Sequence, residues 1–141
     1  KHSVLGKVKL SDNSELSIRV AIVNVKESGM SPVGPDFLIS AITRVSVSFC
    51  PDEIKGLVRD RPVLPSDAIK RPEEWEIIDI VDASKACEEC IYKACDGRRY
   101  LIRVEVKPTI VARTLKYRDD FGNPIYYVRW ARRDIVELQR G

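Results

Sequence analysis

Amide and imidazole side chains are scarce in this 141-residue chain. It has one glutamine (Gln139), three asparagines and one histidine (His2), beside 24 basic and 21 acidic residues. Few amides among many charged residues is a composition associated with growth at high temperature. The single histidine lies at the second position, so the chain lacks the usual general base and metal ligand, and most enzyme chemistries are disfavoured.

Long apolar runs and clustered glycines are also missing. No stretch approaches the roughly 18 apolar residues of a transmembrane helix, and the N-terminus has no apolar core of a secretory signal. The seven glycines are scattered, so the chain has no glycine-rich phosphate-binding loop. We therefore expect a cytoplasmic, non-enzymatic protein with no membrane partner and no cofactor.

Alternation of apolar and polar residues dominates the chain and predicts β-strands. Residues 5–10 and 16–25 flank the turn-forming SDNSE and predict a first hairpin. Residues 29–36 hold two glycines and two prolines and predict an exposed loop. A long strand is expected over 37–49, where isoleucine, valine, serine and threonine are abundant.

The middle of the chain is less regular. Pro51, followed by Asp52 and Glu53, predicts a short helix, because proline and acidic side chains favour a first helical turn. Residues 60–74 contain three prolines and predict an irregular surface crossing inside one domain that spans 1–141.

Three interpretations fit the segment 82–97, DASKACEECIYKACDG: a helix, a strand, or a helical turn near 83–88 followed by a strand from about Cys90. As a helix it would begin at Asp82 as N-cap and end just before Gly97. As a strand it would run into Asp96-Gly97, a strong hairpin-turn signal, with RRYLIRVEV as its partner. We favour the hairpin because the strand pattern after the glycine is clear.

The predicted fold class is mainly β. Six or seven strands in antiparallel hairpins would form a small barrel or sandwich with one or two short helices. If residues 82–96 were helical, the class would instead be α+β.

Positive charge is concentrated at the C-terminal end. Residues 98–141 hold eleven lysines and arginines against five acidic residues, an imbalance that attracts anionic partners. DDFGNP at 119–124 predicts the turn of a last hairpin. Pairing Arg118 with Ile125 would place Arg113 against Trp130 on an apolar face, and would leave the opposite face cationic.

Nucleic-acid binding is the hypothesis that this basic hairpin supports. Lysine and arginine neutralise phosphates, while aromatic rings stack on bases. The residues assigned to this role are Arg103, Lys116, Arg118, Tyr127 and Arg129. The alternative is that the cations only solvate the outer face of a sheet. In a further alternative the basic face meets an acidic protein surface, and the protein is an interaction or structural subunit with a protein partner or in a homo-oligomer.

Four cysteines leave three alternatives open. Cys87 and Cys90 form a C-x-x-C, Cys95 follows, and Cys50 lies apart. They are buried free thiols, or a disulfide joins Cys50 to one of the other three, or three or four of them hold a metal. In a strand, Cys90 points away from Cys87 and Cys95, which disfavours the metal site.

A second chemical hypothesis concerns Glu105 and Lys107. An E-x-K at the end of a strand, with Asp82 and Asp96 upstream, resembles the core of the PD-(D/E)xK nuclease group. That resemblance implies that two acids hold Mg²⁺ and that the lysine helps to position or activate the water. The chain departs from the group at Pro108, where another β-like run follows instead of a helix.

Overall fold

The computed structural model describes residues 2–65 and 71–139, and within these ranges most residues lie in β-strands. The strands are β1 (His2–Val4), β2 (Gly6–Leu10), β3 (Glu15–Ser31), β4 (Gly34–Phe49), β5 (Glu76–Ile78), β6 (Ile80–Ala83), β7 (Ala86–Lys93), β8 (Arg99–Arg118) and β9 (Pro124–Leu138). A short helix, α1 (Asp52–Leu57), and a 3-10 turn (Pro72–Glu74) join them. The mainly β prediction and the helix after Pro51 are confirmed.

The strands form two antiparallel sheets. The first has the order β4-β3-β2-β6, and the second has the order β1-β7-β8-β5 with β9 also paired to β8. Strand β9 follows one edge of β8 along its length, while β7 and β5 share the other edge. Within the described ranges neither sheet closes on itself, so the barrel-or-sandwich detail stays a prediction.

One apolar core is shared by both sheets. Every second residue of β3 from Leu16 to Ile22 is buried, as is every second residue of β8 from Ile102 to Val106. This is the alternation expected when one face of a strand meets a core. The buried side chains of the two strands belong to one cluster. Burial of each large aliphatic side chain contributes about 1.5–3 kcal/mol.

The segment 29–36 is not a loop. Strands β3 and β4 continue to Ser31 and Gly34, so only residues 32–33 form the turn. Gly34 has a φ of +119°, which a residue without a side chain adopts at little cost. Pro35 is tolerated because β4 is an edge strand and a missing N–H is acceptable there. The local composition of 29–36 is that of a loop, but the edge position of β4 allows its prolines and glycines within a strand.

The hairpin interpretation of 82–97 is confirmed. Strand β7 runs into a turn in which Gly97 has a φ of +83°, and β8 then pairs back along β7. The crossing at 60–74 is described only in part, because residues 66–70 lie outside the described ranges. Before that gap, the Pro62 carbonyl accepts a 3.0 Å hydrogen bond from the Arg118 N–H. No helix in the described ranges is long and apolar enough to cross a membrane.

The predicted register of the last hairpin is wrong. Ile125 lies opposite Thr114 rather than Arg118, and Trp130 lies opposite Pro108 rather than Arg113. Arg118 itself pairs with Pro124 instead of Ile125, and two irregularities in β8, between Thr114 and Arg118 and between Pro108 and Ile110, shift the pairs further. Such bulges add residues to one strand only, so cross-strand pairs counted back from the turn are wrong after the first of them.

Candidate nucleic-acid interface

The outer face of the β8–β9 sheet carries two of the cations predicted to bind nucleic acid, Arg103 and Arg129. Ile102, Val104 and Val106 of β8 point into the core, so the residues between them point outward. The register places Arg103, Glu105 and Lys107 opposite Ile135, Arg133 and Ala131 of β9.

Arg103 is already paired on this face. Its Nη1 lies 3.5 Å from Glu89 and its Nε lies 3.2 Å from Glu105, which Lys85 also contacts at 3.5 Å. The guanidinium also donates to the Cys87 sulfur at 3.7 Å. This sulfur and the two carboxylates raise the pKa of Arg103. The charge of this residue is therefore balanced inside the sheet.

Three further cations on this face have no such partner. Lys107, Arg129 and Arg133 are exposed, and within residues 2–65 and 71–139 their side chains form no ion pair or hydrogen bond. Ala131 lies opposite Lys107, and the two arginines precede and follow it on the same face of β9. Diagonal neighbours in a sheet are about 7–8 Å apart. One extended anion can therefore contact all three.

An aromatic pair adjoins these cations. Tyr127 precedes Arg129 on the same face of β9 and is 45% exposed. Its ring meets that of Trp75 edge to face, with 6.4 Å between ring centroids. Trp75 follows the 3-10 turn and holds one side of the tyrosine, while much of the ring stays accessible. We call Lys107, Tyr127, Arg129 and Arg133 the outer cationic face.

The other two predicted residues lie near the hairpin turn. Lys116 is exposed within the irregular part of β8. Arg118 is held by hydrogen bonds from Nε to the Arg61 carbonyl (2.9 Å) and from Nη1 to the Asp119 carbonyl (3.3 Å). It borders a cleft of about 490 Å³, which we call the turn cleft; its lining residues are Asp52, Lys55, Arg59, Arg118, Phe121 and Gly122.

Phe121 lies at the rim of the turn cleft and is 84% exposed.

Arg118 pairs with Pro124, which precedes Arg129 on β9. At about 3.3–3.4 Å per residue, Arg118 and Arg129 are roughly 17 Å apart along the sheet. That is the length of about five nucleotides of one strand in a B-form helix.

The structure thus separates the five predicted residues into three groups. Tyr127 and Arg129 share the outer cationic face, Arg103 is paired, and Lys116 and Arg118 lie near the turn. Sequence reasoning missed Arg133, Lys55 and Arg59, and it assigned Lys107 only to the nuclease hypothesis. The outward position of Lys107 follows from the alternation of residues 102–106. The position of Arg133 requires the observed register.

No protein-family model, curated protein or solved structure matches this chain.

The residues of the nuclease hypothesis are not brought together. Glu105 contacts Lys85 and Arg103, and Asp82 lies in β6 of the other sheet. Asp96 lies in the β7–β8 turn and accepts hydrogen bonds from the Arg98 N–H and the Tyr100 hydroxyl, both at 2.9 Å. Among the described residues, no three His, Cys, Asp or Glu side chains form a group that could hold a metal ion.

All four cysteines lie in the described ranges and are free thiols, so of the three alternatives the structure shows free thiols and no disulfide from Cys50. Cys87 is buried on the outer side of β7, and Cys90 packs against the core on the inner side. Because successive side chains of a strand point to opposite faces, Cys87 and Cys90 lie on opposite sides of β7. Cys50 is buried after β4, and Cys95 is exposed in the β7–β8 turn.

A polar cluster connects the β2–β3 turn to the β8–β9 hairpin. Asp12 accepts hydrogen bonds from the Tyr126 hydroxyl (2.6 Å) and from Arg113 (3.0 Å), which also binds Glu76. Burial raises the pKa of Tyr126, and the bond to Asp12 adds to this effect. Burial and the charge of Asp12 also raise the pKa of the Cys50 thiol. The tyrosine and the thiol are therefore held in their neutral forms, which suits a structural role.

Proposed function

We propose that this protein is a non-enzymatic binding protein whose outer cationic face contacts single-stranded nucleic acid. The observation that supports this proposal is the group of exposed cations Lys107, Arg129 and Arg133, which have no carboxylate partner within the described ranges, beside the accessible ring of Tyr127. Cations that are not neutralised within the protein are free to release counterions from a phosphate backbone.

Single strands are favoured over duplexes because of the aromatic residues. Bases stack on accessible rings only when they are not stacked in a helix. Tyr127 offers one such ring on the face itself, and Phe121 offers another at the turn cleft. Lys116 and Arg118 would extend the contact toward the turn, whereas Arg103 would serve mainly to order the sheet.

The architecture that we infer for this function is an open sandwich. The two antiparallel sheets contribute to one core cluster and each has an outward face. An outward face of a sheet is a rigid platform on which strand alternation fixes the spacing of charges.

Binding of a single-stranded oligonucleotide of 12 nucleotides, measured by fluorescence anisotropy at several salt concentrations, tests the proposal. Each lost phosphate contact lowers the log–log salt slope for a single strand by about 0.7, so R129Q/R133Q should lower it by about 1.4. The control K9Q/K26Q removes the same charge from exposed positions of the other sheet and should leave the slope almost unchanged.

Tyr127→Ala should weaken binding by about 1–3 kcal/mol without changing the salt slope, because stacking involves no counterion. Absence of binding to DNA and RNA single strands at low salt would refute the proposal. Equal losses in the test and control variants would refute the assignment to this face. Cleavage of the oligonucleotide on addition of Mg²⁺ would instead support the nuclease hypothesis for Glu105 and Lys107.

A second candidate function is that of an interaction subunit. Leu38 and Ile42 are 60% and 57% exposed on edge strand β4. Exposed apolar residues on an edge strand favour pairing with another chain. Light scattering at micromolar concentration should then show a defined oligomer, and Ile42→Lys should return it to the monomer. A monomer at all concentrations would refute self-association.

A further inference from the structure

Two arginines lie directly opposite each other on the outer face of the first sheet. Arg19 of β3 pairs with Arg44 of β4 in the register. Ile18 and Val20 on either side of Arg19 are buried, so the arginine side chains point away from the core. Like charges directly opposite each other in a sheet are destabilising. This arrangement therefore carries a cost that a bound anion would relieve.

No group of the described protein neutralises these charges. Within residues 2–65 and 71–139 neither guanidinium forms an ion pair or a hydrogen bond. Glu15 is the acidic residue of β3 on the same face, and it contacts the Lys7 ammonium at 3.5 Å. The neighbouring carboxylate is therefore already paired with a cation.

Two hydroxyls adjoin the arginines. Ser17 and Ser46 form the adjacent cross-strand pair on the same face. The two serines, the two arginines and Leu5 line a shallow cavity of about 320 Å³. Two guanidinium forks and two hydroxyl donors thus border one concave space of a size at the lower end of small-ligand sites.

We propose that this cavity binds the phosphate group of a small ligand, either inorganic phosphate or a phosphate monoester. A phosphate dianion balances two guanidinium charges, and its oxygens accept from guanidinium forks and from hydroxyls. Leu5, which is 44% exposed, gives one wall an apolar surface against which the substituent of a monoester packs. We call this the arginine-pair site.

The arginine-pair site does not depend on nucleic-acid binding. It lies on the sheet of β2, β3, β4 and β6, whereas the outer cationic face lies on the sheet of β8 and β9. Either proposal can therefore fail while the other holds.

Titration calorimetry with inorganic phosphate and with glycerol phosphate, at constant ionic strength set with chloride, tests the proposal. Arg19→Gln and Arg44→Gln should each weaken phosphate binding about 10-fold or more, because each removes a charged hydrogen-bond donor. The control K26Q/K93Q, which removes the same charge as R19Q/R44Q from exposed positions outside both sites, should bind phosphate as the wild type does. Tighter binding of glycerol phosphate than of phosphate would support a monoester ligand, and equal affinity would support the free anion.

Thermal unfolding distinguishes a phosphate site from a purely structural role of the two arginines. Without phosphate, Arg19→Gln should raise the melting temperature, because it removes like-charge repulsion. Phosphate should raise the melting temperature of the wild type more than that of Arg19→Gln.

Three results would overturn the proposal. One is a lack of phosphate binding by the wild type. This result would overturn the proposal even if R19Q/R44Q weakened oligonucleotide binding. Another is equal stabilisation of the wild type and R19Q/R44Q by phosphate. The third is a lower melting temperature of Arg19→Gln without phosphate, which would show that the pair stabilises the fold by itself.

Discussion

The carboxylate of Glu88 in β7 accepts a 2.8 Å hydrogen bond from the backbone N–H of Ile22 in β3. The two residues belong to different sheets, and both are buried. Strand β2 pairs with β3 only as far as Ile18, and the register of β3 against β4 shifts just after Ile22. A side chain from one sheet therefore satisfies a backbone group of the other where the strand pairing becomes irregular.

Replacing Glu88 tests this connection. Glu88→Ala should lower the free energy of unfolding by about 1–3 kcal/mol, because it leaves a buried N–H without its acceptor. Glu88→Gln keeps a carbonyl oxygen in place and should cost less. Urea unfolding followed by tryptophan fluorescence measures both. Equal losses in the two variants would show that the hydrogen bond is not what stabilises the fold.

Asp12 predicts a dependence of stability on acid. Burial raises the pKa of Asp12, but hydrogen bonds from Ser14, Tyr126 and Arg113 outweigh it and bring the pKa below the ordinary value of 3.8. A carboxyl whose pKa is lower in the folded state stabilises the fold above its unfolded pKa. The stabilisation should therefore be complete above about pH 4 and be lost as the pH falls further.

Asp12→Asn should remove this part of the acid dependence and lower the free energy of unfolding at pH 7 by about 1–3 kcal/mol. Chemical unfolding between pH 2.5 and pH 7 provides the comparison. An acid limb of the same slope in both proteins would assign the dependence to other carboxylates.

Gly6 and Gly56 form a matched pair for backbone substitution. A Cβ at Gly6 would lie 2.7 Å from the Ala86 nitrogen and 2.9 Å from the Ser84 oxygen, both backbone atoms. Gly6→Ala should therefore destabilise the fold by about 1–3 kcal/mol through overpacking. At Gly56 in α1 nothing lies within 4 Å, so alanine there should stabilise the fold by about 0.4–1 kcal/mol. Melting temperatures that move in the same direction would contradict this reading.

Thiol reactivity follows from the positions of the cysteines. Cys95 is exposed and should react first with a thiol reagent in the native protein, although its bond to Glu27 raises the pKa of the thiol. The buried Cys50 and Cys87 should react only on unfolding. All four should be counted in denaturant without reductant; a lower count would reveal a disulfide. Cys95→Ser should remove the fast phase.

Much of the fold was predictable from local signals. The alternation of apolar residues in β3 and β8, the Asp96-Gly97 turn and the helix after Pro51 all gave the correct element types. The errors arose where a distant partner decides the local structure. Pro35 lies in a strand because β4 is an edge, and the last hairpin has a different register because of bulges opposite β9.

The candidate sites likewise depend partly on local sequence and partly on pairing with distant residues. Charge composition located the basic region, but only pairing shows which cations remain without partners. Arg103 is neutralised by Glu89 from another strand, whereas Arg129 is not paired within the described ranges. Arg19 and Arg44 are separated by a whole hairpin in sequence, and their opposition depends on the β3–β4 register.

The pairing of β7 and β5 along a shared edge of β8 has a consequence for synthesis of the chain. In the described residues β5 pairs with no strand other than β8, and β7 has only the three-residue β1 besides. Strands β5 and β7 are synthesised before β8. They therefore lack their main pairing partner until residues 99–118 have emerged from the ribosome. The second sheet should therefore form late, and the emerging polypeptide should need protection from premature pairing until then.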